Sequence, residues 1–227
     1  MMAYVLLFVP QEVRDAPTYG TFQYHPSLCP EHRGPSSINW PIAMGKTRTG
    51  LSIFWPNDGL DEGPMMLQKT CEIGPDETLG DVYFKKLFPM GVDAMIEGLD
   101  LVKAGVIIKH DQRLENGSYE SWFGKASAEI DWSKPAIDVY NMIRAANPAP
   151  GAWTTIAGSE LKIYDSARAD GTGIAGEVVS VGGDGVTVQA EGGRILIKRV
   201  RPTGGGKMAA SEWAAAVGIN SGTKLGL

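Results

Sequence analysis

Three residues stand where this chain could do chemistry. His25 ends the β-prone run Thr21-Phe22-Gln23-Tyr24-His25, which Pro26 stops. Asp61 lies in the acidic turn Asn57-Asp58-Gly59-Leu60-Asp61-Glu62-Gly63, which opens where the run Gly50-Leu-Ser-Ile-Phe-Trp55 meets Pro56. Side chains alternate along a strand, so Gln23 shares the face of His25. An imidazole moves protons near neutral pH, and a nearby carboxylate stabilises its charged form. Both runs are mostly apolar and read as strands of a covered parallel sheet. In open α/β sheets ligands bind at the carboxyl ends of strands, which is where His25 and Asp61 both fall. By residue type alone, His25 fits better as a strand-end histidine satisfied by backbone, and Asp61 as an exposed turn acid like Asp58.

The elements that must position these residues follow from pattern. Val5–Val9 reads as a buried first strand ended by Pro10. Only about fifteen residues separate it from the strand ending at His25, which suits a βαβ unit with a very short crossover. Ser36-Ser37 can cap a short helix holding Ile38, Trp40 and Ile42, limited by Pro41. Met65–Ile73 reads as a further, antiparallel strand. Thr78 caps a long helix with Leu79, Val82, Tyr83, Leu87, Met90, Met95, Leu99 and Val102 on its inner face and a kink at Pro89. Residues 109–120 are polar, with a turn at Asn116-Gly117. Pro135–Ala146 reads as a helix with Ile137, Tyr140, Met142 and Ile143 inward. Five short strands follow, Trp153–Ile156, Leu161–Tyr164, Gly176–Val181, Val186–Gln189 and Ile195–Val200, then a closing helix Ala209–Val217, which together suggest a small barrel.

Composition narrows the classes. The chain has 227 residues, 43% hydrophobic and 21% charged, as in an ordinary globular protein of one large or two modest domains. Net charge is -5, so there is no global nucleic-acid signal. Arg194 to Lys207 holds five basic residues and no acidic one, either a solvated strand face or a strand facing a polyanion such as tRNA. Cys29 and Cys71 give no disulfide framework and point to a reducing compartment. His25, Cys29 and His32 match no zinc spacing. The opening MMAYVLLFVP is too short to span a membrane and lacks a basic leader. Gly171-Thr-Gly-Ile-Ala-Gly176 is followed by a strand-like run, so it is no dinucleotide fingerprint, and Thr203–Lys207 lacks the parts of a P-loop.

A family resemblance adds roles. His25-Pro-Ser-Leu-Cys-Pro-Glu-His-Arg-Gly34 resembles the HPSLLP-x-x-RG segment of the 10-formyltetrahydrofolate-dependent formyltransferases, and Asp58-Gly-Leu-Asp-Glu-Gly63 resembles their D-x-GLDTG loop. The likeness continues through Leu67–Glu72, Leu87–Gly91, Ile130–Trp132 and Pro150–Trp153. It is strongest to the hydrolase domain of 10-formyltetrahydrofolate dehydrogenase, then to methionyl-tRNA formyltransferase through the C-terminal third. The resemblance implies an α/β, incomplete Rossmann-like catalytic domain over 1–110, a linker over 111–127 and an OB-like barrel over 128–227. It also implies that roughly 80 residues of an N-terminal half precede Met1, by comparison with a normal domain size. It implies 10-formyltetrahydrofolate as formyl donor, no metal, His25 as acid/base and oxyanion donor, and Asp61 as its carboxylate. Gln23 stands where transferases of the family carry Asn. Leu7, Phe8, Val9, Ser27, Asn57, Asp58, Gly59 and Leu60 would line the folate pocket. Acceptors in order are water, the amine of methionyl-tRNA (met through Arg194–Lys207), and a small amine such as an amino sugar. An inert folate-binding remnant, self-association through the N-terminal edge, no membrane and a cytoplasmic location complete the expectations.

Overall fold

The structure is a computed structural model that describes residues 1–3, 5 and 7–226. The chain divides into two units, residues 1–41 with 46–122 and residues 42–45 with 123–227.

The first unit holds a three-stranded sheet in the order β1 (Gln23–His25), β2 (Arg48–Phe54), β3 (Met65–Glu72). Both pairings are antiparallel, with His25 opposite Ser52 and Gln23 opposite Phe54. This corrects the expected parallel sheet. Apolar strands buried on both faces do occur in parallel sheets, but burial alone does not fix direction. Here β2 is covered on one side by a helix and on the other by the 27–29 loop, so it reads as continuously apolar. The expected strand at Val5–Val9 is also corrected. The parallel pairing onto the free edge of β1 occurs at Met2, through Met2 N–H to Phe22 O and Tyr24 N–H to Met2 O, each 2.9 Å. Residues 7–9 form no strand, and Leu7 and Phe8 are exposed rather than buried. Leu6 lies outside the described residues. An apolar run becomes a strand only where a neighbour offers hydrogen bonds, and among the described residues none does so there. Between Met2 and β1 runs a single-turn helix, α1 (Gln11–Asp15). After β1 comes α2 (Asn39–Ala43), the short helix expected after Ser36-Ser37, which begins too late to include Ile38.

The long helix begins as expected. Thr78 caps α3 (Leu79–Val82) in a reciprocal box, its hydroxyl accepting from Asp81 N–H while Asp81 accepts from Thr78 N–H. Where a kink was expected, the chain makes a π turn over Tyr83–Leu87, then continues as α4 (Phe88–Lys103). Pro89 has no N–H and clashes with a carbonyl one turn back. The wider turn accommodates it, ending with Phe88 N–H on Tyr83 O. Gly91 and Gly98 face the sheet so closely that an added Cβ would come within 2.6 Å of the Tyr24 ring and 2.9 Å of Met66 Sδ. The core between α4 and the sheet includes Phe22, Tyr24, Leu51, Ile53, Trp55 and Met66.

The second unit is a helix, α5 (Ala136–Ala145), and a six-stranded antiparallel sheet. The strands are β4 (Ala152–Ile156), β5 (Ser159–Ala169), β6 (Val178–Gly182), β7 (Gly185–Ala190), β8 (Gly193–Pro202) and β9 (Met208–Ala209), followed by α6 (Ala210–Val217). The order is β4-β5-β8-β7-β6, with β9 on β8. All five expected strands are present. Alternation fixes the inner face, with Ile163, Val186, Val188, Ile195 and Ile197 buried. The 171–176 glycine loop lies between β5 and β6, as its sequence context required. One expectation is corrected: Ile137 points outward, because Ala136, Val139, Tyr140 and Ile143 make the buried stripe of α5.

Thr78→Ala is expected to cost about 1 kcal/mol, the usual worth of an N-cap, read as a lower urea midpoint at unchanged slope. Lys85, then the Thr78 hydroxyl and amide, hold the Asp81 carboxyl down at about 2 against an ordinary 3.8. A depressed folded-state pKa contributes stability that is present above the ordinary value and lost as the pH falls from 3.8 to about 2. Asp81→Asn should therefore flatten the stability profile in that window.

Candidate active site

Pro26 ends β1 and turns the chain away, leaving His25 buried at the strand terminus. The backbone N–H of Trp55 still pairs with Pro64 O at 2.9 Å, so residues 56–63 form a closed loop beyond β2. Gly63 permits that closure: an added Cβ would lie 1.8 Å from the Trp55 carbonyl oxygen. Within the loop Asp61 has left-handed backbone, φ 56°. That conformation aims its carboxylate back at β1. Asp61 Oδ2 lies 3.6 Å from His25 Nδ1, with the two side chains only 10% and 8% exposed. The same oxygen accepts from Gly34 N–H at 2.9 Å. His25 Nε2 faces the His32 carbonyl at 3.2 Å.

A neutral imidazole donates at one nitrogen and accepts at the other. Here both nitrogens face oxygens. With Nε2–H on the His32 carbonyl, Nδ1 and the Asp61 carboxylate face one another across a gap slightly longer than a hydrogen bond. In that tautomer both groups accept, so each can take a proton from a reacting water, while a hydrogen bond from Nδ1 to a reacting oxygen needs the doubly protonated ring.

His25 and Asp61 lie on the wall of a cleft of about 400 Å³. That size lies within the range of small-molecule sites. Leu7, Phe8, Val9, Ile38, Phe54 and Leu60 give it apolar walls, and Gln23, Asn57 and Gly59 line it as well. The sequence-predicted residues therefore converge, with two exceptions. Asp58 turns outward to pair with Arg14 at 2.5 Å and is 80% exposed. Ser27 is fully buried behind the cleft, donating to Glu31 O at 2.8 Å, while its own carbonyl accepts from Ser52 Oγ at 2.7 Å. Nearby, burial pushes the Cys29 thiol up to about 11, which keeps it from acting as a thiolate at neutral pH. Two other surface hollows, one on α4 and one beside α5, carry carboxylates but no histidine or cysteine. Among the described residues no group of three or more His, Cys, Asp and Glu side chains could hold a metal ion. No helix among them is long and apolar enough to cross a membrane.

Sequence reasoning missed several supports. Arg14 is buried and its guanidinium holds both the Asn57 carbonyl and Asp58. Arg33 pairs with Glu62. Gln112 donates to the carbonyls of Asp61 and Gly63, and Glu120 meets His32. Only His32, Arg33 and Glu62 sat in a motif; the rest come from stretches without a signature.

The chain matches the family pattern described as formyl transferase over residues 1–98, and that described as formyl transferase, C-terminal domain, over residues 123–218. This chain belongs to the formyltransferase family. It is 35% identical over 227 residues to the mitochondrial 10-formyltetrahydrofolate dehydrogenase of Mus musculus, covering 96% of this chain but 25% of that protein. It is 36% identical over 218 residues to the methionyl-tRNA formyltransferase of Geotalea daltonii, covering 96% of this chain and 70% of that protein. Its fold is shared with HypX from Aquifex aeolicus, solved in complex with tetrahydrofolic acid, at a TM-score of 0.75 and 20% identity over 93% of this chain and 37% of that one. The chain thus spans only about a quarter of the length of the dehydrogenase relative. Within the formyltransferase family frame, His25 and Asp61 are the histidine and the loop aspartate of the two quoted motifs.

Gly63→Ala tests the loop closure. Forcing a methyl group against the Trp55 carbonyl should cost about 1–3 kcal/mol, the scale of an overpacked site, measured by denaturant unfolding. A variant as stable as the parent would mean that the loop closes differently.

Proposed function

We propose that this chain binds 10-formyltetrahydrofolate in the His25–Asp61 cleft and transfers its formyl group to water. The observation that carries the reading is the buried His25–Asp61 pair on the wall of an apolar cleft, in a chain of the formyltransferase family. The pterin and benzoyl rings suit apolar walls such as Phe8, Ile38 and Leu60, and backbone of the 57–61 loop supplies polar contacts. Water attacks the formyl carbon and gives a proton to Asp61. The carbonyl oxygen becomes an oxyanion, which His25, carrying a proton on each ring nitrogen, stabilises by donating from Nδ1 while Nε2–H stays on the His32 carbonyl. Gln23, on the same strand face, offers a second donor through its amide. Collapse of the intermediate breaks the carbon–N10 bond, N10 takes the proton held by Asp61, and tetrahydrofolate leaves with formic acid, which gives its remaining proton to solvent and becomes formate.

A second acceptor, the amine of methionyl-tRNA, is favoured by one observation. Lys198 and Arg199 are exposed on β8, and Lys207 sits 3.6 Å from the Tyr164 ring with Arg201 on the same ring. Burial, then the charges of Arg201 and Arg199, push the Lys207 amine down, and a polyanion would offset the part that comes from the two arginines. The finer architecture is likewise proposed: a Rossmann-like catalytic domain over 1–110, a linker over 111–127 and an OB-like barrel over 128–227. Hydrogen bonds of the C-terminal segment to both flanks of the second sheet, Leu225 N–H to Gly176 O and Gly226 N–H to Thr155 O, support a closed barrel. Two free cysteines support a cytoplasmic location, and the exposed Leu7 and Phe8 support self-association at the N-terminal edge.

His25→Ala is expected to lower the release of formate from 10-formyltetrahydrofolate by about 10²–10⁴-fold while the fold persists. A variant with near-parental rate would remove His25 from the mechanism. For the tRNA reading, neutralising Lys198, Arg199 and Arg201 should lower the salt slope of tRNA binding by nearly one for each phosphate that these side chains neutralise. An unchanged slope would leave β8 as a solvated face.

A further inference from the structure

We infer that the segment from His110 to Glu120 is a positioning strap for the reacting pair: Gln112 sets Asp61, and Glu120 sets His25 through His32. The inference rests on the formyl-transfer reading for its kinetic consequence, though not for its geometry.

Left-handed backbone is uncommon outside glycine and persists where surroundings hold it. Among the described residues three non-glycine positions adopt it: His32 at φ 55°, Asp61 at φ 56° and Ala157 at φ 46°. Ala157 lies in the turn between β4 and β5. Of the other two, Asp61 belongs to the reacting pair and His32 meets His25 through its carbonyl, and both are held by side chains of this one segment.

At Asp61 the tie is Gln112. Its Nε2 donates to Asp61 O at 3.0 Å and to Gly63 O at 2.7 Å. Two carbonyl acceptors fix which end of the amide points inward, because the flipped amide would set oxygen against oxygen. Its Oε1 is left buried without a partner. A buried acceptor without a partner is tolerated rarely, and such groups mark strain or function. The two bonds hold the chain at and just after the left-handed residue, fixing the backbone from which its carboxylate projects.

At His25 the tie is indirect. His25 Nε2 meets the His32 carbonyl at 3.2 Å, so the direction of that carbonyl sets the tautomer and tilt of the ring. His32 is pinned at both ends. Its N–H donates to Ser118 Oγ at 2.9 Å, and its Nδ1 meets Glu120 Oε2 at 3.1 Å, with the Glu120 side chain 13% exposed. Backbone bonds add to this, Arg33 N–H to Ser118 O and Glu120 N–H to Arg33 O, both 3.1 Å. The strap is itself anchored to the sheet, where His110 and Met65 exchange two backbone bonds of 2.7 and 3.0 Å. Neither Gln112 nor Glu120 lines the cleft. They are positioning residues.

The test uses the full chain, the parent and the variants Gln112→Ala, Glu120→Ala and Glu120→Gln, with 10-formyltetrahydrofolate as substrate. Two quantities are read: kcat and KM for formate release, and the ¹⁵N resonances of the His25 ring. Displacing a reacting group by about 1 Å costs about a hundredfold, so kcat should fall about 10- to 100-fold in both alanine variants while KM stays within about twofold. Glu120→Gln still accepts from His32 Nδ1 and should recover most of kcat. The Nε2-protonated, hydrogen-bonded ring signal of His25 should be present in the parent and in Glu120→Gln and absent in Glu120→Ala. Unchanged kcat in folded alanine variants, or a ring signal indifferent to Glu120, overturns the strap. If Glu120→Ala does not fold, the kcat-against-KM split of Gln112→Ala decides in its place. If the parent itself releases no formate, the formyl-transfer reading fails, and the ring signal alone decides the strap either way.

Discussion

The cleft depends on one strained residue. Asp61 addresses His25 from left-handed backbone, a conformation that costs an L-residue about 1–2 kcal/mol. The cost is offset by donors arranged around it. Gly34 N–H holds the carboxylate, Gln112 holds the carbonyl, and the approach of Gly63 to the Trp55 carbonyl fixes where the loop returns. The loop's other acids are partnered by arginines, Asp58 by Arg14 and Glu62 by Arg33. Asp61 is then the loop carboxylate left facing the histidine.

The sheet supplies the other half of the geometry. The antiparallel register sets His25 opposite Ser52, so the His25 face of β1 and the hydroxyl of β2 share one side. Ser52 Oγ accepts from Cys29 N–H and from Gln68, and donates to Ser27 O. That buried network locks the chain just after His25, and its donors and acceptors are satisfied, as buried polar groups require. The opposite side packs on α4, where glycines at positions 91 and 98 let the helix approach the sheet. Apolar packing on one face and a hydrogen-bonded loop on the other leave the strand end little freedom, which suits the proton-moving role proposed for His25.

Much of this was readable before the structure. Period-two patterning with glycine turns placed five of the six strands of the second unit and missed only the two-residue β9, because antiparallel strands with short turns are mostly local objects. Thr78 announced its helix by the same logic. The His25 and Asp61 motifs pointed to one cleft, and the structure brings them within reach. What failed was non-local. Strand direction in the first unit depends on which segments meet, not on composition, and Val5–Val9 looked like a strand only on the assumption of a neighbour. Arg14, Gln112 and Glu120 were invisible for the same reason. Each is an ordinary polar residue in a polar stretch until a distant loop gives it a role.

The central claim is that His25 and Asp61 act as one unit on a formyl group held in this cleft. A double-mutant cycle on formate release from 10-formyltetrahydrofolate, with His25→Ala, Asp61→Ala and the two combined, addresses it directly. Residues that act as a unit are strongly non-additive, so the double variant should be no slower than the slower single variant, within about threefold. Effects that multiply, with the double variant slowed by the product of the two single effects, would contradict the account and make His25 and Asp61 independent contributors.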